Sequence, residues 1–250
     1  MQFEEWKDPN PTPVIERLNN DIFVVRDDLL GVGSKARFID YLVGHDPNYA
    51  HVEEWCFGSA PKTGWGPISL SHVCKKYGKK ATFFMAKRKE PTPQQLKTIE
   101  LGGTINWMNF GMLSTTTAAA RKYAEQDSKR MVLPIGLNHP TVLASIVKVA
   151  RNLPLQSEPT EIWTVASGGV LSRGLQEAFP NVSVNAVQVG HKLSEKELGR
   201  AKLYISPYKY DQACKEEDMP PFPSEKFYDA KLWPFVRQHA KPGALLWNVA

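Results

Sequence analysis

Short apolar runs alternate along the chain with longer stretches in which apolar residues recur every three or four positions. The runs predict strands at Ile22–Arg26, Val52–Phe57, Ala81–Met85, Thr104–Trp107, Met131–Pro134, Ile162–Val165, Val182–Val189, Leu203–Ser206 and Ala244–Trp247. The helical spacing predicts helices at Lys35–Val43, Ile68–Tyr77, Pro91–Leu101, Thr115–Glu125, Thr141–Ala150, Leu171–Phe179 and Lys231–Gln238. Gly78 and Gly102-Gly103 supply helix stops. Asp8 to Pro13 is too proline-rich for helix or central strand. Strands alternating with helices of this length predict an α/β fold with mostly parallel sheets flanked by helices. There is no internal repeat and no low-complexity linker. Met219 to Ser224, with three prolines, reads as a rigid surface connection.

The totals narrow the class. At 250 residues and 42% hydrophobic content, the chain can form one large domain or two smaller lobes. No apolar run approaches the roughly 18 residues that a membrane-spanning helix needs, so no membrane association is expected. The polar, acidic start lacks the order of a signal peptide. Cys56, Cys74 and Cys214 are odd in number and widely spaced, which points to buried thiols in a reducing, cytoplasmic setting. The histidines show no metal-ligand spacing, so no metal site is expected. The net charge of +5 is mild but uneven: Lys75 to Lys89 holds seven basic residues and no acid. That stretch reads either as solvated helix and strand ends or as a surface that meets phosphates.

Four segments can carry chemistry. In Val24 to Phe38 a β-branched strand runs through a glycine turn into a helix with Lys35 in its first turn. Lys35 is either surface or an amine whose pKa is lowered at a helix N-terminus, which favours a nucleophilic neutral form. In Ile162 to Leu175 an apolar strand meets Ser167-Gly168-Gly169 and then a helix beginning with Val170 and Leu171. Such a turn lets backbone N–H groups converge on a phosphate, although no Gly-Lys-Ser/Thr of a P-loop follows. Tyr228-Asp229 before a helix is on its own an ordinary cap. Leu133 to Pro140 places Asn138 and His139 ahead of a long helix, where His139 reads as a satisfied structural histidine.

Taken together these segments resemble fold type II pyridoxal-phosphate enzymes, of the tryptophan synthase beta-like type. The closest branch is that of 1-aminocyclopropane-1-carboxylate deaminase and D-cysteine desulfhydrase. There an acidic strand end leads through a glycine turn to Asn-Lys-x-Arg, matched here by Ser34-Lys35-Ala36-Arg37. The resemblance covers roughly Pro11 to Trp247, with the segments in the family's order. It implies that Lys35 holds pyridoxal 5'-phosphate as an internal aldimine. It implies that Ser167, Gly168, Gly169, Val170 and Leu171 hold the phosphate, mainly through backbone. The branch's Tyr-Glu-Gly-Lys is matched by Tyr228-Asp229-Ala230-Lys231, so Asp229 would contact the pyridine nitrogen and Tyr228 would act as an acid/base or positioning group. Asn138 is placed at the cofactor's 3-hydroxyl side. The family fold has two lobes, expected here as residues 1–56 and 129–250 for the large one and 57–128 for the small one. It also implies a homodimer.

One departure stands out. Where the family carries Ser-Asn-His or Ser-Asn-Gln before a helix, this chain has Thr63-Gly64-Trp65-Gly66. The serine that opens a cyclopropane ring is missing, while the glycines can still present N–H groups to a substrate carboxylate. Trp65 reads either as a wall of the pocket or as loop packing, and Lys62 can pair with an anion. The chain is also shorter than such enzymes usually are. The leading expectation is a deaminase- or lyase-like enzyme acting at Cα of a small amino-acid substrate, through a quinonoid carbanion. The short chain, the altered loop and the basic stretch suit an amino acid attached to a large polyanion, and the resemblance to compact virus-encoded members of the family implies a narrower expectation: a phage-encoded decarboxylase or lyase that remodels an amino acid attached to thymidine in DNA. A third is a cofactor-binding protein without catalysis.

Overall fold

The structure is a computed structural model and describes residues 1–58 and 60–250. Its strands are β1 (Ile15–Arg17), β2 (Phe23–Arg26), β3 (Glu54–Phe57), β4 (Lys80–Ala86), β5 (Thr104–Met108), β6 (Arg130–Val132), β7 (Glu161–Ala166), β8 (Ser183–Gln188), β9 (Lys202–Ile205) and β10 (Leu245–Asn248). Its α-helices are α1 (Lys35–Gly44), α2 (Gly66–Lys76), α3 (Pro93–Glu100), α4 (Leu113–Ala124), α5 (Pro140–Arg151), α6 (Val170–Ala178), α7 (Glu195–Leu198) and α8 (Trp233–His239). All nine expected strands and all seven expected helices are present, most with ends shifted by one to three residues.

The chain divides into two compact units, Met1–Asp8 with Lys35–Val142, and Pro9–Ser34 with Leu143–Ala250. The first holds a four-stranded sheet in the order β5-β4-β3-β6, parallel throughout. β3 and β6, which flank residues 57–128, hydrogen-bond into this sheet and so belong to this unit. β3 is buried at every position, whereas the edge strand β5 is largely exposed. α3 starts at a capping box: Thr92 Oγ1 accepts from Gln95 N–H, Gln95 Oε1 accepts from Thr92 N–H, and Pro93 occupies a position that needs no N–H.

The second unit holds a six-stranded sheet in the order β1-β2-β10-β7-β8-β9. Only the β1–β2 pair is antiparallel. In the centre Trp247 stands opposite Val25, and Leu246 lies between Val24 and Trp163. Central strands β7 and β10 are buried along their whole length, as a sheet covered on both faces requires. Val24, Trp163, Val165, Val187, Leu232, Val236 and Leu246 share one core.

The sequence pattern missed β1 (Ile-Glu-Arg) and the four-residue α7 (Glu-Lys-Glu-Leu), because each carries a single apolar residue and so shows no run or spacing. A usable signal for the hairpin was Asn19-Asn20-Asp21. Asn20 and Asp21 take positive φ, 70° and 58°, a conformation that these two residue types tolerate better than most. The expected helix at Lys231 begins instead as a 3-10 turn, Asp229–Leu232, before α8.

The basic stretch Lys75–Lys89 is not one surface. β4 runs through its middle and, at about 3.3 Å per residue, sets Lys75, Lys76, Lys79 and Lys80 about 20 Å from Lys87, Arg88 and Lys89.

Candidate active site

In the second unit β7 ends at Ala166 and the chain turns through Ser167-Gly168-Gly169 into α6. Gly169 has φ 68° and ψ 0°, which an L side chain adopts only with strain. A Cβ there would also lie 2.0 Å from the carbonyl oxygen of Glu197, the residue of α7 that packs over the turn. Glu197 is itself held by the Ser194 capping box, its carboxylate kept below the ordinary range by the Ser194 N–H. The turn is thus a tight backbone concavity at the N-terminus of a nine-residue helix, whose first N–H groups have no partner within the helix.

The Tyr228-Asp229 segment comes to the same place. The Tyr228 hydroxyl donates a long hydrogen bond of 3.4 Å to Ser167 Oγ. Burial, and secondarily the Asp229 charge, push the Tyr228 phenol well above its ordinary pKa, so it stays protonated at working pH. Asp229 is 4% exposed and accepts from Ala250 N–H at 3.2 Å through Oδ2. It lies inside the 3-10 turn rather than capping it. Just beyond, Lys231 is fully buried and donates to the Lys209 and Tyr210 carbonyls at 2.8 and 3.0 Å. That fixes Tyr210, whose ring would meet a Cβ on Gly190 at 3.1 Å, close to Ser167.

The segment before Lys35 is anchored to β10. Ser34 is fully buried; its N–H donates to Val249 at 3.0 Å. Trp247 Nε1 donates to both Ser34 Oγ and Asp27 Oδ2 at 3.1 Å. Asn248 Nδ2 donates to Asp28 Oδ1 at 2.8 Å, and Arg26 grips the Asp28 carboxylate with two nitrogens at 2.9 and 2.7 Å. The acidic strand end of the sequence motif therefore serves to hold the chain entering Lys35. Sequence reasoning passed over Trp247 and Asn248; an indole and an amide in an otherwise apolar last strand were the available signal.

In the first unit Lys35 opens α1 and is half-buried. Its stem runs toward the 61–66 turn: a Cβ on Gly66 would touch Lys35 Cδ at 3.8 Å and Phe57 at 3.6 Å. Gly64 N–H closes that turn on Pro61 O at 3.0 Å, and Trp65 caps α2, with Gly66 its first residue. Thr63, Gly64, Trp65 and Gly66 thus surround a helix N-terminus beside the Lys35 stem. Ser59, earlier in this glycine- and proline-rich loop, lies outside the described residues. Two positions on from Lys35, Arg37 is buried and paired with Asp8 at 2.6 Å. Asn138 sits elsewhere in this unit, exposed, at the end of the turn Ile135–Leu137. His139 faces Tyr49 OH at 2.9 Å and accepts Thr141 N–H at 3.1 Å; burial lowers its pKa, so it is a neutral structural residue.

The second unit therefore brings a glycine turn at a helix N-terminus, packed at Gly169 against the Glu197 carbonyl, together with the segment that carries the buried Asp229 carboxylate.

This is the fold of the fold type II pyridoxal-phosphate enzymes. A solved homologue of 1-aminocyclopropane-1-carboxylate deaminase superposes with a TM-score of 0.81 at 18% identity, covering 96% of this chain and 89% of that one. A fungal L-serine ammonia-lyase from Rhizomucor miehei gives 0.70 at 12% identity, with 96% and 95% covered. In sequence, the chain is similar to the glycyl-dTMP PLP-dependent decarboxylase of Pseudomonas phage M6, 25% identical over 279 residues, covering 96% of this chain and 98% of that protein. No protein-family model matches the chain.

Proposed function

We propose that this protein is a pyridoxal-phosphate-dependent enzyme acting at Cα of an amino-acid-type substrate, and that the reaction is decarboxylation of an amino acid carried on a thymidine nucleotide. The observation that carries the cofactor reading is the meeting of the glycine turn with Tyr228-Asp229, at Ser167 Oγ. Bound pyridoxal phosphate supplies an electron sink for the pair left at Cα. Ser167, Gly168, Gly169, Val170 and Leu171 would hold its phosphate through backbone N–H groups. Asp229 would keep its ring nitrogen protonated, Asn138 would serve its 3-hydroxyl side, and Lys35 would hold it through the amine.

Substrate orientation falls to Thr63, Gly64, Trp65 and Gly66. The N–H groups at the start of α2 hold the carboxylate. Trp65 replaces the polar Ser-Asn of the deaminase branch with an indole, which disfavours a solvated carboxylate and favours release of neutral carbon dioxide. The likeness to the phage decarboxylase supports the same branch. Tyr228, kept protonated, returns a proton to Cα, with the Lys35 amine as the second carrier.

The test is an absorption spectrum with pyridoxal phosphate for wild type and Lys35→Ala, followed by carbon dioxide release from glycyl-dTMP. A visible band present in wild type and lost in the variant, with carbon dioxide formed only by wild type, is expected. An unchanged band in Lys35→Ala refutes the assignment of Lys35. Ammonia instead of carbon dioxide, from free amino acids, returns the enzyme to the deaminase branch.

A further inference from the structure

All four strands of the smaller sheet are parallel, so their C-terminal ends open at one edge. Three segments emerge there: the turn before α2, Lys87-Arg88-Lys89-Glu90 after β4, and Asn109-Phe110-Gly111-Met112 after β5. They are tied to one another. Lys87 N–H donates to the Met108 carbonyl at 2.7 Å. Gly111 packs so tightly on the end of β4 that a Cβ would lie 2.3 Å from Ala86 Cβ. The Thr92 hydroxyl donates to the Lys62 carbonyl at 2.6 Å. The loop after β5 is thus folded back beside the cations, and the cations are continuous with the turn that carries Trp65.

What these segments show to solvent is unusual. Phe110 is 74% exposed, Met112 70%, and Trp107 on the edge strand 39%. Lys87, Arg88 and Lys89 are all exposed, and among the described residues none of them joins an ion pair. In the other basic cluster Lys76 is bound to Asp40 at 2.8 Å. Free cations beside uncovered rings match one occupant by charge and shape. A single nucleic-acid strand places phosphates on the cations and unstacked bases on the rings, whereas a duplex keeps its base faces hidden.

We infer that the edge formed by Lys87, Arg88, Lys89, Trp107 and Phe110 binds single-stranded polynucleotide flanking the nucleotide that reacts. This rests on the reading of an aminoacyl-thymidine substrate and adds that the substrate is taken within a strand. The strand crosses the cations and rings, and its modified base enters at the turn of Thr63 to Gly66.

The test uses full-length protein and a fluorescein-labelled 12-nucleotide DNA strand, read by anisotropy across a salt series. Wild type binds. Reversal of Lys87, Arg88 and Lys89 to Glu weakens binding at least tenfold at low salt and lowers the salt slope by about 2, at roughly 0.7 per phosphate contact on single strands. Phe110→Ala weakens it about tenfold, as loss of one stacked base implies. Lys75→Glu with Lys79→Glu and Lys80→Glu, at the far end of β4, serves as the matched charge control and leaves binding within twofold.

Three results overturn the proposal: no binding by wild type, equal loss from both charge reversals, or a Phe110→Ala variant that binds normally but changes from dimer to monomer, which makes a second copy the occupant. Carbon dioxide release from glycyl-dTMP as mononucleotide separates this from failure of the catalytic reading. If that activity is absent while strand binding behaves as stated, the catalytic reading fails and the surface stands. If mononucleotide is turned over normally and the reversed variant gains nothing in KM on a strand, the surface fails alone.

Discussion

Gly169→Ala puts the glycine turn between β7 and α6 under direct strain. The residue has φ 68°, and the added Cβ would sit 2.0 Å from Glu197 O, a backbone atom that cannot swing away like a side-chain end. Left-handed backbone costs an alanine about 1–2 kcal/mol, and forcing an atom into a packed site costs about 1–3 kcal/mol. Together roughly 2–5 kcal/mol is expected, and for a chain of this size each 1 kcal/mol moves the melting temperature by about 2–4 °C. The apoprotein should therefore melt roughly 4–20 °C lower. The sharper readout is ligand discrimination, measured by titrating the variant with pyridoxal phosphate and with pyridoxal. If the turn is the phosphate cradle, the variant loses affinity for the phosphorylated form far more than for pyridoxal. Equal affinity losses for both ligands would reduce the turn to a structural element. A variant that melts and binds like wild type would refute the geometric argument altogether.

Two further outcomes test the supports of the site. Trp247→Phe removes the N–H shared by Asp27 and Ser34, both fully buried; the loss should be about 1–3 kcal/mol, read by denaturant unfolding, with weaker retention of the cofactor because the chain entering Lys35 loosens. Glu54 is buried on β3; desolvation raises its pKa, but hydrogen bonds from Thr82, Arg130 and Tyr123 outweigh it and leave the carboxyl below its ordinary value. Its contribution to stability is therefore complete above the unfolded-state pKa near 4.3 and is lost as pH falls through the lower folded value. In Glu54→Gln the acid side of the stability curve should flatten, and an unchanged acid limb would assign the loss to other groups.

The order of strands and helices was legible because each expected strand holds two or more apolar residues in a short run and each expected helix repeats its apolar spacing over seven residues or more. Val182–Val189 alternates within a buried strand, and Ala81–Met85 is apolar throughout. The glycine turn at Ser167 was legible for a similar local reason, since a strand, two glycines and a helix constrain one another within a dozen residues. β1 and α7 were not, because each carries a single apolar residue.

The sequence by itself determined the α/β alternation, the placement of Lys35 at a helix start, the glycine turn between strand and helix, and the Tyr-Asp pair, all properties of neighbours along the chain. Only the tertiary structure decided that Tyr228 reaches Ser167, 61 positions away, and that Trp247 holds Ser34, 213 positions away. It also decided that the Lys75–Lys89 charges part company across β4 while the loop of Phe110 is tied to the end of β4 at Ala86 and Lys87. Periodicity reports which face of an element is buried, but not which distant backbone will supply the partner. That choice is made by sheet order and by close approaches at glycines such as Gly111 and Gly169, where the absence of a side chain carries meaning only once the opposing chain is in place.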